Sequence, residues 1–202
     1  MGHMRRIFPE NMVLSFILNG FIAEIFRAYF DLKTSFRNQL NNSVSEPRLL
    51  AYSFLISLVL FLERLPERLS NYDVQPSKGL LFDYVGVDLF ASMFFGPIFL
   101  YCLSSLAHIL ALPFKGKASF FEARLAFFWS IVVASPLLLI SGLLNGFFPN
   151  GLLFKFVQFS SMIVYAWIFS SIFCAAESFV SHLPLFFILL FGHIFFSYLV
   201  IL

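Results

Sequence analysis

Two histidines, His108 and His193, sit inside long uncharged stretches of this 202-residue chain. Imidazoles from two different membrane helices are a ligand set for a b-type haem. A hydrogen bond to a neighbouring helix is the commoner role of such a residue, and nothing else in the sequence suggests redox work, so no cofactor is expected. Glu122, Arg124 and Glu177 are the acids and base nearest the apolar runs, with Lys115 and Lys117 in the turn before them. Ionisable groups at membrane depth are functional candidates by default. Glu122 and Arg124 are two residues apart and point to different helix faces, so they do not pair with each other. Glu177 is expected on the same side of the membrane, where contact with Arg124 or Lys117 clamps two spans; a site for ions or lipid headgroups is the alternative. Pro97 and Pro136 fall inside apolar runs and predict kinks, because proline removes a backbone donor and crowds the preceding turn. No phosphate-cradling glycine loop, metal-ligand cluster or nucleophile-and-base set can be assembled, so the sequence reads as non-enzymatic.

The elements that must position these residues are membrane helices. The chain is 60% hydrophobic and 12% charged, against about 45–50% and 25% in soluble proteins. Leu89–Phe114, Leu125–Phe154, Phe156–Ala176 and Ser178–Leu202 carry no Asp, Glu, Lys or Arg. Each exceeds the ~18 residues that suffice to cross a bilayer core as a helix. A weaker span covers Leu49–Leu62, whose flanking Arg48 and Arg64 must snorkel. The reading is therefore all-α: a polytopic transmembrane bundle of about five spans. Residues 63–88, with Pro66, Asn71, Asp73, Pro76 and Gly79, are expected to form the longest polar connection. Gly142-x-x-x-Gly146 has the spacing that lets helices approach closely, but it abuts the turn at 145–151, and helix termination is the favoured reason. The 31 phenylalanines read as lipid-facing and interhelical filler, and Cys102 and Cys174 as small buried hydrophobes.

Residues 1–8 read as a disordered or tag-like terminus, followed by one amphipathic helix within 9–44. Leu18, Ile22, Ile25, Tyr29, Leu32 and Phe36 recur at spacings of three and four, with Glu24, Arg27, Asp31, Lys33 and Arg37 on the other faces. Its uncharged part is too short to span, so an interfacial helix is favoured over one docked on a partner's surface. With the N-terminus inside, nine Lys and Arg lie on the cytoplasmic side and four on the other, which supports a cytoplasmic N-terminus.

Several segments together carry a family resemblance. They are Asp88-Leu89-Phe90 with Gly96-Pro97, the turn Lys115-Gly116-Lys117-Ala118-Ser119-Phe120, then Ala123-Arg124-Leu125-Ala126-Phe127-Phe128-Trp129, and Ser135-Pro136-Leu137-Leu138. The pattern, over about residues 48–178, resembles the bacterial, especially alphaproteobacterial, branch of the Yip-domain membrane proteins. The resemblance implies a five-span domain over 45–202 with a cytosolic N-terminus, in a bacterial inner membrane. The chain lacks the long soluble N-terminal region of eukaryotic members, whose trafficking role does not carry over. The expected function is organisation of a membrane assembly through helix contacts and the interfacial helix. The expected partners are lipids and another membrane protein or a second copy, with no nucleic acid. A small-solute or ion permease, using Pro97 and Pro136 to break its helices, is the alternative.

Overall fold

The computed structural model describes residues 20–42, 45–74, 81–148 and 151–201. Over them the chain is helical, with no strand. The helices are α1 (20–28), α2 (Leu32–Asn41), α3 (Glu46–Val74), α4 (Leu81–Ala111), α5 (Phe120–Phe147), α6 (Leu152–Glu177) and α7 (Leu183–Ile201), with a 3-10 turn at Leu112–Phe114. Four stretches are long and apolar enough to cross a membrane: Glu46–Leu69, Asp83–Phe114, Phe120–Phe147 and Lys155–Glu177. Leu183–Phe195 in α7 is a shorter apolar stretch. The protein is an all-α membrane-type bundle.

Helix α5 is its axis, packed against α3, α4 and α6, while α7 lies on α6. Leu125–Ala134 is an unbroken run of buried residues, with Trp129 and Phe128 fully enclosed. That run has neither helical nor strand periodicity, because helices surround α5 on all sides at that level. Helices α3 and α5 run parallel in a constant register. Arg124 pairs with Glu46, and the Asn145 side-chain amide donates to Glu67 at 3.1 Å, each 78 residues apart. Helix α4 is the antiparallel return.

The polar connection expected over 63–88 is mostly helix: α3 continues to Val74 and α4 begins at Leu81. Pro66 lies within α3, and the helix persists because tertiary contact outweighs local propensity. A Cβ at Gly142 would collide with the Glu63 backbone carbonyl, and one at Gly146 with the Pro66 ring. The two glycines are thus a seat for α3, not a helix terminator. Across the other face, Arg68 pairs with Asp88 of α4 at 3.0 Å.

The single helix expected over 9–40 is also different. Residues 9–19 lie outside those described, and 20–42 form two helices broken at residues 29–31. Asp31 makes the break, since its carboxylate accepts from the Thr34 N–H at 3.0 Å and the Thr34 hydroxyl at 2.7 Å, capping α2. Those bonds hold the Asp31 carboxyl below the usual carboxylate range. Beside it the Tyr29 hydroxyl donates to the Val133 carbonyl at 2.7 Å, and burial raises its pKa.

Candidate functional site: a latched end and a lateral groove

At one end of the bundle, the last turns of α4 and α6 meet the turn leading into α5. Glu177 is fully buried and His108 is 3% exposed. The Glu177 carboxylate bonds His108 Nδ1 through Oε1 at 2.7 Å and accepts the Ala118 N–H through Oε2 at 3.1 Å. Its backbone carbonyl accepts the Lys117 N–H at 3.2 Å. Backbone geometry makes this possible. Lys115 and Ser178 both adopt the left-handed region, at φ 66° and 57°, ending α4's 3-10 turn and α6. Gly116 lets the turn close, because a Cβ there would strike Glu177 Oε2. The His108 and Phe120 rings meet in a T-shaped contact, 4.6 Å between centroids.

Glu177 therefore ties α6 to α4 and to the 115–118 turn, but not through the partners expected of it. Arg124 instead pairs with Glu46 and lies over the Tyr101 ring at 5.5 Å, on the α3 and α4 side of α5. Lys117 contributes its backbone, and its side chain, like that of Lys115, belongs to an exposed residue. Glu122 forms a capping box with Ser119, accepting its N–H at 2.7 Å, which fixes the start of α5. His108, read from the sequence mainly as an interhelical contact, makes one with Glu177, whereas His193 lies elsewhere, on α7. Among the described residues no group of three or more His, Cys, Asp or Glu is arranged to hold a metal ion.

The two prolines singled out in the sequence lie within continuous helices. Pro136 leaves the Val132 carbonyl without its usual donor, and the Ser135 hydroxyl supplies one at 2.7 Å. Pro97 is buried next to Gly96, where a Cβ would strike Ser57, so α4 approaches α3 closely there. Cys174 is buried as expected, but Cys102 is exposed on α4.

Sequence reasoning missed the polar cluster that fastens the N-terminal helices. Arg48 donates to the Tyr52 hydroxyl at 3.0 Å and to Gln39 Oε1 at 3.2 Å, and the Tyr52 hydroxyl donates to the same oxygen at 3.1 Å. Trp129 Nε1 donates to the Ser35 hydroxyl at 3.1 Å. Phe21 packs against both Tyr52 and Trp129, at 6.0 and 6.1 Å between ring centroids. The i, i+4 pairing of Arg48 with Tyr52 was the one signal available in the sequence.

A groove of about 1030 Å³ lies on the flank of α5. Phe127, Ile131 and Leu138 form its floor, α3 and α4 one wall, and Tyr165 of α6 with His193 of α7 the other. Arg64, Arg68 and Asp88 stand at one end. Comparison of the chain with protein-family models, with curated proteins and with solved structures gives no match. The class established by fold and composition is thus that of a helical membrane protein, and the Yip-domain likeness rests on the sequence motifs quoted above.

Proposed function

We propose that this chain is a non-enzymatic integral membrane protein that organises a membrane protein assembly, with the α1–α2 hairpin as the surface a partner meets. One observation carries this reading: the hairpin is pinned to the bundle on one side and presents a polar cleft on the other. Tyr29, Ser35 and Gln39 hold it to α5 and α3. The cleft, of about 460 Å³, is lined by Glu24, Arg27, Asp31, Thr34 and Asn38. Ile22, Phe26 and Phe30 form a third, exposed apolar edge, with Phe30 92% exposed. A segment polar on one edge and apolar on another suits the headgroup region, which supports an interfacial position. Because the hairpin is held rigidly, a partner would spend little entropy ordering it.

The partner would be another membrane protein or a second copy, within a lipid environment. A bacterial inner membrane, a cytoplasmic N-terminus and kinship with Yip-domain proteins belong to the same proposal, supported by the charge asymmetry and the motifs of the sequence. The permease alternative draws on the lateral groove, but the continuity of α4 and α5 through Pro97 and Pro136 removes the broken helices on which it leaned. Purification in mild detergent separates the two. A stoichiometric partner that is lost on Arg27→Glu supports the assembly role. A lone monomer giving solute-dependent flux in vesicles overturns it in favour of transport.

A further inference from the structure

Helices α4 and α7 face each other across the groove, which opens sideways between two helices of nearly uninterrupted apolar character. From Asp88 to Leu103 the groove follows sixteen residues of α4, about 22 Å of helix from first to last. That exceeds one leaflet's half of a ~30 Å hydrocarbon core. The walls along this length are chiefly Phe95, Phe99 and Leu100, over a floor that includes Ile131, and they suit an acyl chain.

The ends are not apolar. At the mouth the groove is lined by two guanidiniums, Arg64 and Arg68, and one carboxylate, Asp88. Arg68 is engaged with Asp88, whereas Arg64, its side chain 62% exposed, lies 3.9 Å from the Glu63 carboxylate, which offsets its charge but is not part of the groove lining. Further in, His193 and Tyr165 line the groove without a hydrogen bond to another described residue. Polar groups at membrane depth are costly unless something pairs with them. Two guanidiniums at the mouth, polar groups below them and an apolar channel beyond reproduce the order of phosphate, glycerol ester and acyl chain in a phospholipid.

We infer that the groove between α4 and α7 is a binding site for an anionic phospholipid of the surrounding leaflet, its phosphate held at Arg64 and Arg68 and one acyl chain laid along α5. Arg64 supplies the charge-assisted contact, and Arg68, oriented by Asp88, the second donor. This goes beyond the assembly role and stands or falls separately from it.

The test uses the full chain in discs of equal dioleoyl phosphatidylglycerol and dioleoyl phosphatidylcholine, extracted in mild detergent and weighed by native mass spectrometry. One phosphatidylglycerol should be retained in preference to phosphatidylcholine. Arg64→Glu should reduce that retention about tenfold without moving the melting temperature, since this side chain is mostly exposed. Leu103→Trp, which fills the end of the groove farthest from Asp88 along α4 and leaves the mouth intact, should reduce retention of either lipid. If Leu103→Trp does not fold, Arg64→Lys, which keeps the charge and should keep most of the binding, completes the comparison with Arg64→Glu. Equal retention of the two lipids, or full retention by Arg64→Glu, overturns the proposal. Displacement of the lipid by an equal concentration of oleate also overturns it, because the occupant is then a free fatty acid.

Discussion

Glu177 has both carboxylate oxygens engaged and no exposed surface, so its neighbours have little freedom to compensate for its loss. Breaking a buried pair by removing one partner typically costs about 3–5 kcal/mol, and the backbone N–H of Ala118 would lose its acceptor as well. Glu177→Ala should therefore lower the melting temperature in detergent sharply, with Glu177→Gln, which can still accept from Ala118, less damaging. His108→Ala should fall near Glu177→Ala, and the double variant should be less than additive, because the two residues act on one contact. Additive losses would mean that the pair is not the latch described here. The sequence pointed to Glu177 through its position after an apolar run, and to the fact that it fastens helices. It did not identify His108 as the partner. The two are 69 residues apart and meet where the ends of α4 and α6 come together; the left-handed turns that end these elements fall at Lys115 and Ser178. Neither residue is a glycine, the type that usually announces such a turn.

At the scale of elements, the α3–α5 interface depends on absent side chains. Gly142→Leu forces a branched group into the space of the Glu63 backbone, and overpacking of this kind costs about 1–3 kcal/mol or more. Expected is a marked fall in thermal stability, with Gly192→Leu on α7, where a Cβ meets nothing within 4 Å, as the tolerated control. Ser135→Ala tests a smaller effect, since it strips the donor from the Val132 carbonyl and should cost roughly 1 kcal/mol. The Ser135→Thr variant should restore most of it. Helix existence was readable from the uncharged runs, because lipid demands about 20 apolar residues wherever it is crossed. The last turns of α3 and the first of α4 were not, since Pro66, Asn71 and their charges mimic a loop. What makes them helical is packing on Gly142 and Gly146 and pairing between Arg68 and Asp88, all remote in sequence. The same limit hid the break at residues 29–31, where an Asp31 cap interrupts an unbroken apolar stripe.

For the whole molecule, the bundle has two distinct ends. The latched end holds Glu46, Arg48, Arg124 and the 115–119 turn, and the other holds Arg64, Arg68, Asp88 and Asn145. Single cysteines at Ser77 and Lys115, in a background lacking Cys102 and Cys174, should react with an impermeant reagent from opposite sides. Reaction of both from one side would refute a membrane crossing by α4. Fold class and four of the five expected spans followed from the solvent, a property of composition, while the fifth, expected over 178–202, is a shorter apolar stretch at Leu183–Phe195 among the described residues. The face of α5 that forms the groove floor did not, because a helix buried all round shows no stripe to read.

The parallel seating of α3 on α5 bears on biogenesis. The glycines that receive Glu63 and Pro66 are made 79 and 80 residues after them, a delay of about 4–16 s at 5–20 residues per second. Throughout that interval the charged half of α3 has no berth, and the nascent chain must be sheltered by the insertion machinery or left half out of the bilayer. Ribosome pausing between these segments, or early termination there, would leave a greasy fragment with stranded charges, the kind of intermediate that quality-control proteases remove.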